Sequence, residues 1–168
     1  DTLRVAMVGD LKFGRTVHSL SRLLQLFQGV KVNLVSPPEL KMPAEIVDEF
    51  QSGGHDVLET DSRDFGIADV VIVYATRLQE ERFTTRAEAD AYRGRFRLNQ
   101  GIYTAHCEPN TVIMHPLPRD SREGARELDV DLNDNPNLAI FRQSDNGVLV
   151  RMALFALILD VVDRVDDH

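Results

Sequence analysis

Apolar residues in this chain fall into short runs separated by polar breaks, and the runs alternate between strand-like and helix-like spacing. Leu3-Arg4-Val5-Ala6-Met7-Val8-Gly9-Asp10 reads as an opening strand that runs into the loop Leu11-Lys12-Phe13-Gly14. From about Arg15, the residues Val17, Leu20, Leu24 and Phe27 recur at helical spacing with Leu23 beside them, which predicts a helix with one core face, ended by Gly29. Val32-Asn33-Leu34-Val35 predicts a short strand broken by Ser36-Pro37-Pro38, and a helix around Ala44–Phe50 closes at Gly53-Gly54. Asp56-Val57-Leu58 reads as another strand, Ser62–Gly66 as the start of a short helix, and Thr111–Met114 as a fifth strand. The β-branched run Ala68–Tyr74 predicts a strand buried on both faces. Such alternation of strands and helices predicts an α/β fold, a doubly wound parallel sheet with helices on both faces in three layers, α/β/α.

Two late segments break the alternation. Glu127–Asn135 interleaves acidic and apolar residues and reads as a solvated excursion. It lacks the glycine and terminal glutamate of a calcium loop, so it carries no metal expectation. The last helix, roughly Gly147–Val162, is apolar on nearly every face and needs burial on all sides. One sheet face cannot supply that, so part of it is expected to pack on something this chain lacks.

The 168 residues read as one domain, 1–168, that opens directly on a strand as an excised domain would. Its net charge of −8 argues against a nucleic-acid partner, which would call for a basic surplus. Cys107 stands alone, which suits a reducing, cytoplasmic compartment. The longest apolar run, Met152–Leu159, is too short for a membrane span or a leader.

In an open parallel sheet, ligands bind beyond the carboxyl ends of the strands. Three clusters sit at such ends: Gly9–Thr16, Thr76–Arg82 and His115–Arg119. They gather Arg15, Arg77, Arg82 and Arg119 on one rim of an acidic protein, and guanidinium forks are natural receptors for carboxylates. Each cluster also has a plain structural explanation. Gly14 eases a strand-to-helix turn and Thr16 suits a helix start. Arg77, Glu81 and Arg82 could form surface pairs of little energetic weight. Pro116 and Pro118 could merely stop a strand. The first cluster has the glycine spacing of a nucleotide phosphate loop, but Arg15 stands where that loop needs lysine and no magnesium-holding partner follows. His18, one position after an apolar-face residue of the first helix, reads as a packed or half-exposed histidine, His55, His106 and His168 carry no pattern, and nucleophile-elbow, zinc and dinucleotide signatures are all missing.

Taken together, the clusters resemble a known family. Val5–Leu20, with its Gly-Asp-Leu-Lys-Phe-Gly-Arg-Thr core, is similar to the opening of the aspartate domain of aspartate carbamoyltransferases. Thr76-Arg77-Leu78-Gln79-Glu80-Glu81-Arg82 resembles that family's arginine-glutamine-glutamate run, and Met114-His115-Pro116-Leu117-Pro118-Arg119 its carbamoyl-site loop. Phe141-Arg142-Gln143, Asn146-Gly147 and Arg151–Leu154 resemble its last elements. The order of the four motifs is preserved along nearly the whole chain.

The resemblance implies a Rossmann-like fold and a division of labour. Arg15 would hold the α-carboxylate of L-aspartate and Arg77 its side-chain carboxylate, with Gln79 supporting the pocket. Glu81 would orient Arg77, while Arg82 and Arg119 stand behind as supporting charges. Carbonyls of Leu117 and Pro118 would accept the amide protons of carbamoyl phosphate, across a cis bond. The implied reaction is carbamoyl transfer to the aspartate amine for pyrimidine synthesis, in a homotrimer, with no metal or organic cofactor. The family's phosphate-gripping serine-threonine-arginine-threonine loop and catalytic histidine belong to an N-terminal carbamoyl phosphate domain, and a lysine loop comes from a neighbouring subunit. None is matched here, so no catalytic residue falls in this half and the isolated chain is expected to be inactive. Phe13 replaces a common tyrosine, and Asp120–Arg126 departs from the usual loop. The sister ornithine enzymes carry a serine-methionine-glycine motif and a histidine-cysteine-leucine-proline loop, and Pro116 stands in place of that cysteine. A non-catalytic domain of the same fold, serving assembly or regulation, is the reading of another class. It would not need Arg15, Arg77 and Gln79 together.

Overall fold

The structure is a computed structural model that describes residues 2–164, so His168 lies outside the described residues. Five parallel strands form one sheet: β1 (Arg4–Val8), β2 (Lys31–Val35), β3 (Asp56–Thr60), β4 (Ile72–Ala75) and β5 (Val112–Met114). Their order is β3-β2-β1-β4-β5, so the winding reverses beside β1. Val8 pairs with Val35 on one side and Ala75 on the other. The exits of β1 and β4 therefore lie side by side at the carboxyl edge, where a doubly wound sheet opens its crevice.

Alternation along the strands builds two cores. Val5 and Met7 of β1, Val32 and Leu34 of β2 and Tyr74 of β4 pack with Val17 and Leu24 of α1 (Arg15–Leu24) and with Ile46 and Phe50 of α2 (Ala44–Ser52). Ala6, Val8, Val73 and Ile113 face the other way. They meet Ile67, which follows α3 (Arg63–Gly66), and elements of the long connection between β4 and β5. That connection holds α4 (Arg86–Asp90) and α5 (Gln100–His106), the latter contributing Tyr103 to the core. Each fully buried side chain such as Phe50 or Met7 contributes roughly 1.5–3 kcal/mol. The three-layer α/β/α expectation matches this arrangement.

Four local expectations need correction. The first helix ends at Leu24, not at Gly29, and Phe27 is exposed beyond it instead of on a core face. The strand expected over Ala68–Tyr74 pairs only from Ile72, because the chain leaves α3 through Asp69 at φ 53°, a left-handed turn. The segment Glu127–Asn135 is no solvated excursion. Leu128 and Leu132 are fully buried in the second core, Glu127 and Asp129 are buried too, and Asp131 and Asp134 of the 3₁₀ turn at Val130–Asp134 are exposed. Asp129 accepts a hydrogen bond from Arg97 Nε at 2.6 Å. The alternation was that of a two-sided cover.

The last helix, α6 (Ile140–Ile158), starts seven residues before the expected Gly147. It is not buried on all sides: within it only Ile140 is buried, while Val148, Leu149, Met152, Leu154, Phe155 and Leu157 are each more than half exposed. No helix among the described residues is long and apolar enough to cross a membrane.

Candidate active site at the carboxyl edge of the sheet

Backbone leaving β1 must pass very close to backbone leaving β4. A side chain on Gly9 would bring its Cβ to 2.3 Å from the Thr76 carbonyl oxygen, and Gly9 has φ +123°. At Gly14 a Cβ would meet the Asp10 carbonyl at 2.5 Å. Only glycine allows both approaches. Between them lies Asp10, 1% exposed. Its Oδ1 accepts the Phe13 N–H at 2.9 Å and its Oδ2 accepts the Gln79 N–H at 3.1 Å. One buried carboxylate thus joins the turn that leads to Arg15 with the loop that carries Arg77. Burial pushes the Asp10 carboxyl above its ordinary value, and the hydrogen bonds from Phe13 and Gln79 partly offset that. Arg15 opens α1 directly after Gly14 and is exposed. The helix has no side-chain cap, so the helix-start role considered for Thr16 is not used.

After β4 the chain enters Thr76, which is buried, and then Arg77, whose side chain is about one-third exposed (36%). Arg77 Nη1 donates to the Leu78 carbonyl at 3.2 Å. Its Nη2 donates to Gln79 Oε1 at 3.4 Å and Glu81 Oε1 at 3.1 Å. The Glu81 carboxyl is held below its ordinary value, mainly by its own backbone N–H and then by Arg77. An exposed pair of this kind contributes about 0–1 kcal/mol, so its consequence is the direction of the guanidinium more than stability.

The third loop follows β5. His115 is 1% exposed, and its backbone N–H donates to Gln143 Oε1 of α6 at 3.1 Å. Its Nδ1 accepts the Leu117 N–H at 2.9 Å. Leu117 has φ +55°, a region that bulky residues rarely adopt, and the bond to His115 holds it there. The Leu117–Pro118 peptide bond is cis. Glu127 Oε1 lies 2.8 Å from His115 Nε2.

Arg15, Arg77, Gln79, Glu81, Arg82, Leu117 and Pro118 line a single open cleft of about 240 Å³. Arg119 turns out of the cleft. It donates to Asn133 Oδ1 at 2.9 Å and stands over the Phe141 ring at 5.9 Å, bracing the loop against α6. Chemically, the cleft offers guanidinium groups from two separate elements beside a fixed turn of backbone, a receptor for a short dianion. Among the described residues no group of three His, Cys, Asp or Glu side chains is arranged to hold a metal. Burial pushes the Cys107 thiol up to about 11, which makes it a poor nucleophile.

A doubly wound parallel sheet with an arginine-lined cleft at its switch point is the class of domain that the fold and the site define. The particular family is shown by comparison. Residues 1–158 match the family model described as "Aspartate/ornithine carbamoyltransferase, Asp/Orn binding domain", and the chain belongs to this family. It is 67% identical over 168 residues to the aspartate carbamoyltransferase catalytic subunit of Cellvibrio japonicus, covering 100% of this chain and 50% of that one. The Saccharophagus degradans catalytic subunit is 68% identical over 166 residues, with 99% and 49% coverage. Among solved structures, the M. jannaschii aspartate transcarbamoylase catalytic subunit superimposes with a TM-score of 0.84 at 36% identity, over 95% of this chain and 51% of that one. The Trypanosoma cruzi aspartate transcarbamoylase in complex with aspartate and phosphate gives 0.77 at 32% identity, over 92% and 46%. The chain spans about half the length of the curated relatives it matches.

Proposed function

We propose that this domain is the aspartate-binding half of an aspartate carbamoyltransferase. The observation that carries the proposal is the shared cleft of Arg15, Arg77, Gln79, Leu117 and Pro118. In this reading Arg15 grips the α-carboxylate and Arg77 the side-chain carboxylate, with Gln79 as the neutral partner beside it. Two guanidiniums fixed by different strands select a dicarboxylate by the separation of its ends. Glu81 orients Arg77, and Arg82 and Arg119 support the two loops. Carbonyls of Leu117 and Pro118 accept the carbamoyl amide, which aims the carbamoyl carbon at the aspartate amine. The amine attacks that carbon, a tetrahedral intermediate forms, the C–O bond to phosphate breaks, and the amine proton is lost. Orientation and charge stabilisation do most of this work. Relatives at 67% and 68% identity are named for aspartate, which supports aspartate over ornithine as the acceptor.

A carbamoyl phosphate domain, a homotrimer, a cytoplasmic setting and a place in pyrimidine synthesis belong to the same proposal. Two observations support the second domain: the chain spans about half of its relatives, and α6 presents uncovered apolar side chains. Docking the Leu149–Ile158 stretch against another domain would remove that surface from water.

The test is Arg77→Ala in a catalytic chain carrying both halves, with each substrate varied in turn. Loss of a charged, bidentate partner from a desolvated site costs about 2–5 kcal/mol, so kcat/KM for aspartate is expected to fall by several powers of ten. Carbamoyl phosphate binding, measured directly, should change little. Arg77→Lys should recover only part, because an ammonium cannot reproduce the fork. Near-normal aspartate kinetics in the alanine variant would reduce Arg77 to a surface ion-pair residue.

A further inference from the structure

Glu80 sits between Gln79 and Glu81, yet it takes no part in the cleft and points to the other side of the loop. There it is gripped by two arginines. Arg93 donates through Nε at 2.7 Å and Nη2 at 2.8 Å, one to each carboxylate oxygen. Arg122 donates through Nη2 at 2.6 Å and Nη1 at 3.1 Å, again one to each. Arg122 also pairs with Asp120 and Arg93 with Asp90. The Arg93 pair is partly sheltered, with Glu80 and Arg93 side chains 21% and 19% exposed, whereas the Arg122 side chain is 51% exposed. The two arginines hold the Glu80 carboxyl down at about 2, so it stays ionised at any working pH.

The network spans the site. Arg93 closes the segment that begins at Arg77, whereas Asp120 and Arg122 belong to the loop that follows Pro118. The Asp120 N–H donates to Glu127 at 3.1 Å, Glu127 touches His115, and His115 holds the Leu117 N–H. A continuous run of charged and hydrogen-bonded groups thus joins the neighbour of Gln79 to the turn at Leu117.

We propose that Glu80 is a positioning residue, an ionic clasp that fixes the Arg77–Arg82 loop against the loop carrying Leu117 and Pro118 and so sets the spacing of the two halves of the cleft. The proposal rests on the dicarboxylate reading of the site. A clasp on the protein surface adds little to global stability. Its consequence falls on the geometry of Arg77 and Gln79, and therefore on aspartate more than on carbamoyl phosphate.

The test uses E80Q, E80D, R122Q and the E80Q/R122Q double variant of the two-domain catalytic chain, with R77A alongside. E80Q is expected to raise the half-saturating aspartate concentration roughly tenfold. Carbamoyl phosphate affinity should stay within about twofold and the melting temperature within about 2 °C. R122Q should act in the same direction, the double variant should be no worse than the worse single one, and E80D should recover part of the loss. An unchanged aspartate constant in E80Q, independent effects of E80Q and R122Q, or a uniform loss of melting temperature and both affinities would each overturn the clasp. If R77A is crippled while E80Q is normal, the clasp fails and the dicarboxylate reading stands. If R77A is itself normal, the reading beneath both fails.

Discussion

Arg15 and Arg77 reach the same cleft on supports of opposite character. The turn before Arg15 is fastened by backbone and burial. Gly9 N–H donates to Val35 and Leu11 N–H to Leu40, Leu11 is fully buried, and Asp10 is closed inside. The segment after Arg77 has one such anchor, the Asp10–Gln79 bond, and is otherwise held by charges and rings at the surface. Glu80 is clasped by Arg93 and Arg122, and Phe83 lies between Phe13 and Tyr92 at centroid distances of 6.1 and 5.8 Å. Residues 84–88 are exposed. Segments with few buried contacts open at low free-energy cost, whereas buried turns open only with the whole domain. Of the two proposed carboxylate receptors, Arg15 thus stands on a buried turn and Arg77 on a loop held mainly at the surface, with the buried Asp10 carboxylate joining them.

That contrast is most easily broken at Gly9. Gly9→Val should cost on the order of 4 kcal/mol in urea unfolding, because the side chain meets the Thr76 carbonyl and the positive φ disfavours a branched residue. A cost below about 1 kcal/mol would mean the turn is not rigid. Next in size is Asp10→Ala, which strands the N–H groups of Phe13 and Gln79. About 1–3 kcal/mol of stability should go. Aspartate use should suffer through both arginines at once, a pairing that neither loop alone can produce.

The smallest effect is a pair of opposite pH dependences. Asp10 binds its proton more tightly in the folded chain, so the stability tied to that proton is complete below its ordinary value of 3.8 and is lost as pH rises through the raised one. Glu80 is depressed to about 2 from 4.5, so its contribution is complete above 4.5 and is lost as pH falls towards 2. Urea midpoints across this range should show the wild-type advantage over Glu80→Gln growing with pH, and that over Asp10→Asn shrinking. Parallel slopes would erase the distinction between the two supports.

Much of this was legible in sequence. β-branched runs marked the strands, and the three loop motifs fell where strand ends would carry them, while the cis bond after Leu117 was implied only by the family resemblance. What was hidden depended on partners far along the chain. Asp10 is an unremarked acid after a strand until Gln79, 69 residues later, is seen to donate to it. The connection 83–110 went unassigned because α4 and α5 are too short to show a period. Their caps were nevertheless readable: Thr85 and Glu88 form a reciprocal capping box, and Asn99 accepts the Ile102 N–H at 2.8 Å. The start of α6 was missed because Arg142–Gly147 is polar, with Ser144, Asp145, Asn146 and Gly147 all weak helix formers.

The most direct test of the site is a crystal structure of the two-domain catalytic chain soaked with carbamoyl-aspartate and phosphate. The expected result has the α-carboxylate on Arg15, the side-chain carboxylate on Arg77 and Gln79 at about 2.7–2.9 Å, and the carbamoyl amide on the carbonyls of Leu117 and Pro118. Product bound away from Arg15, or Arg77 still turned onto Glu81 with no carboxylate before it, would contradict the proposed division of labour.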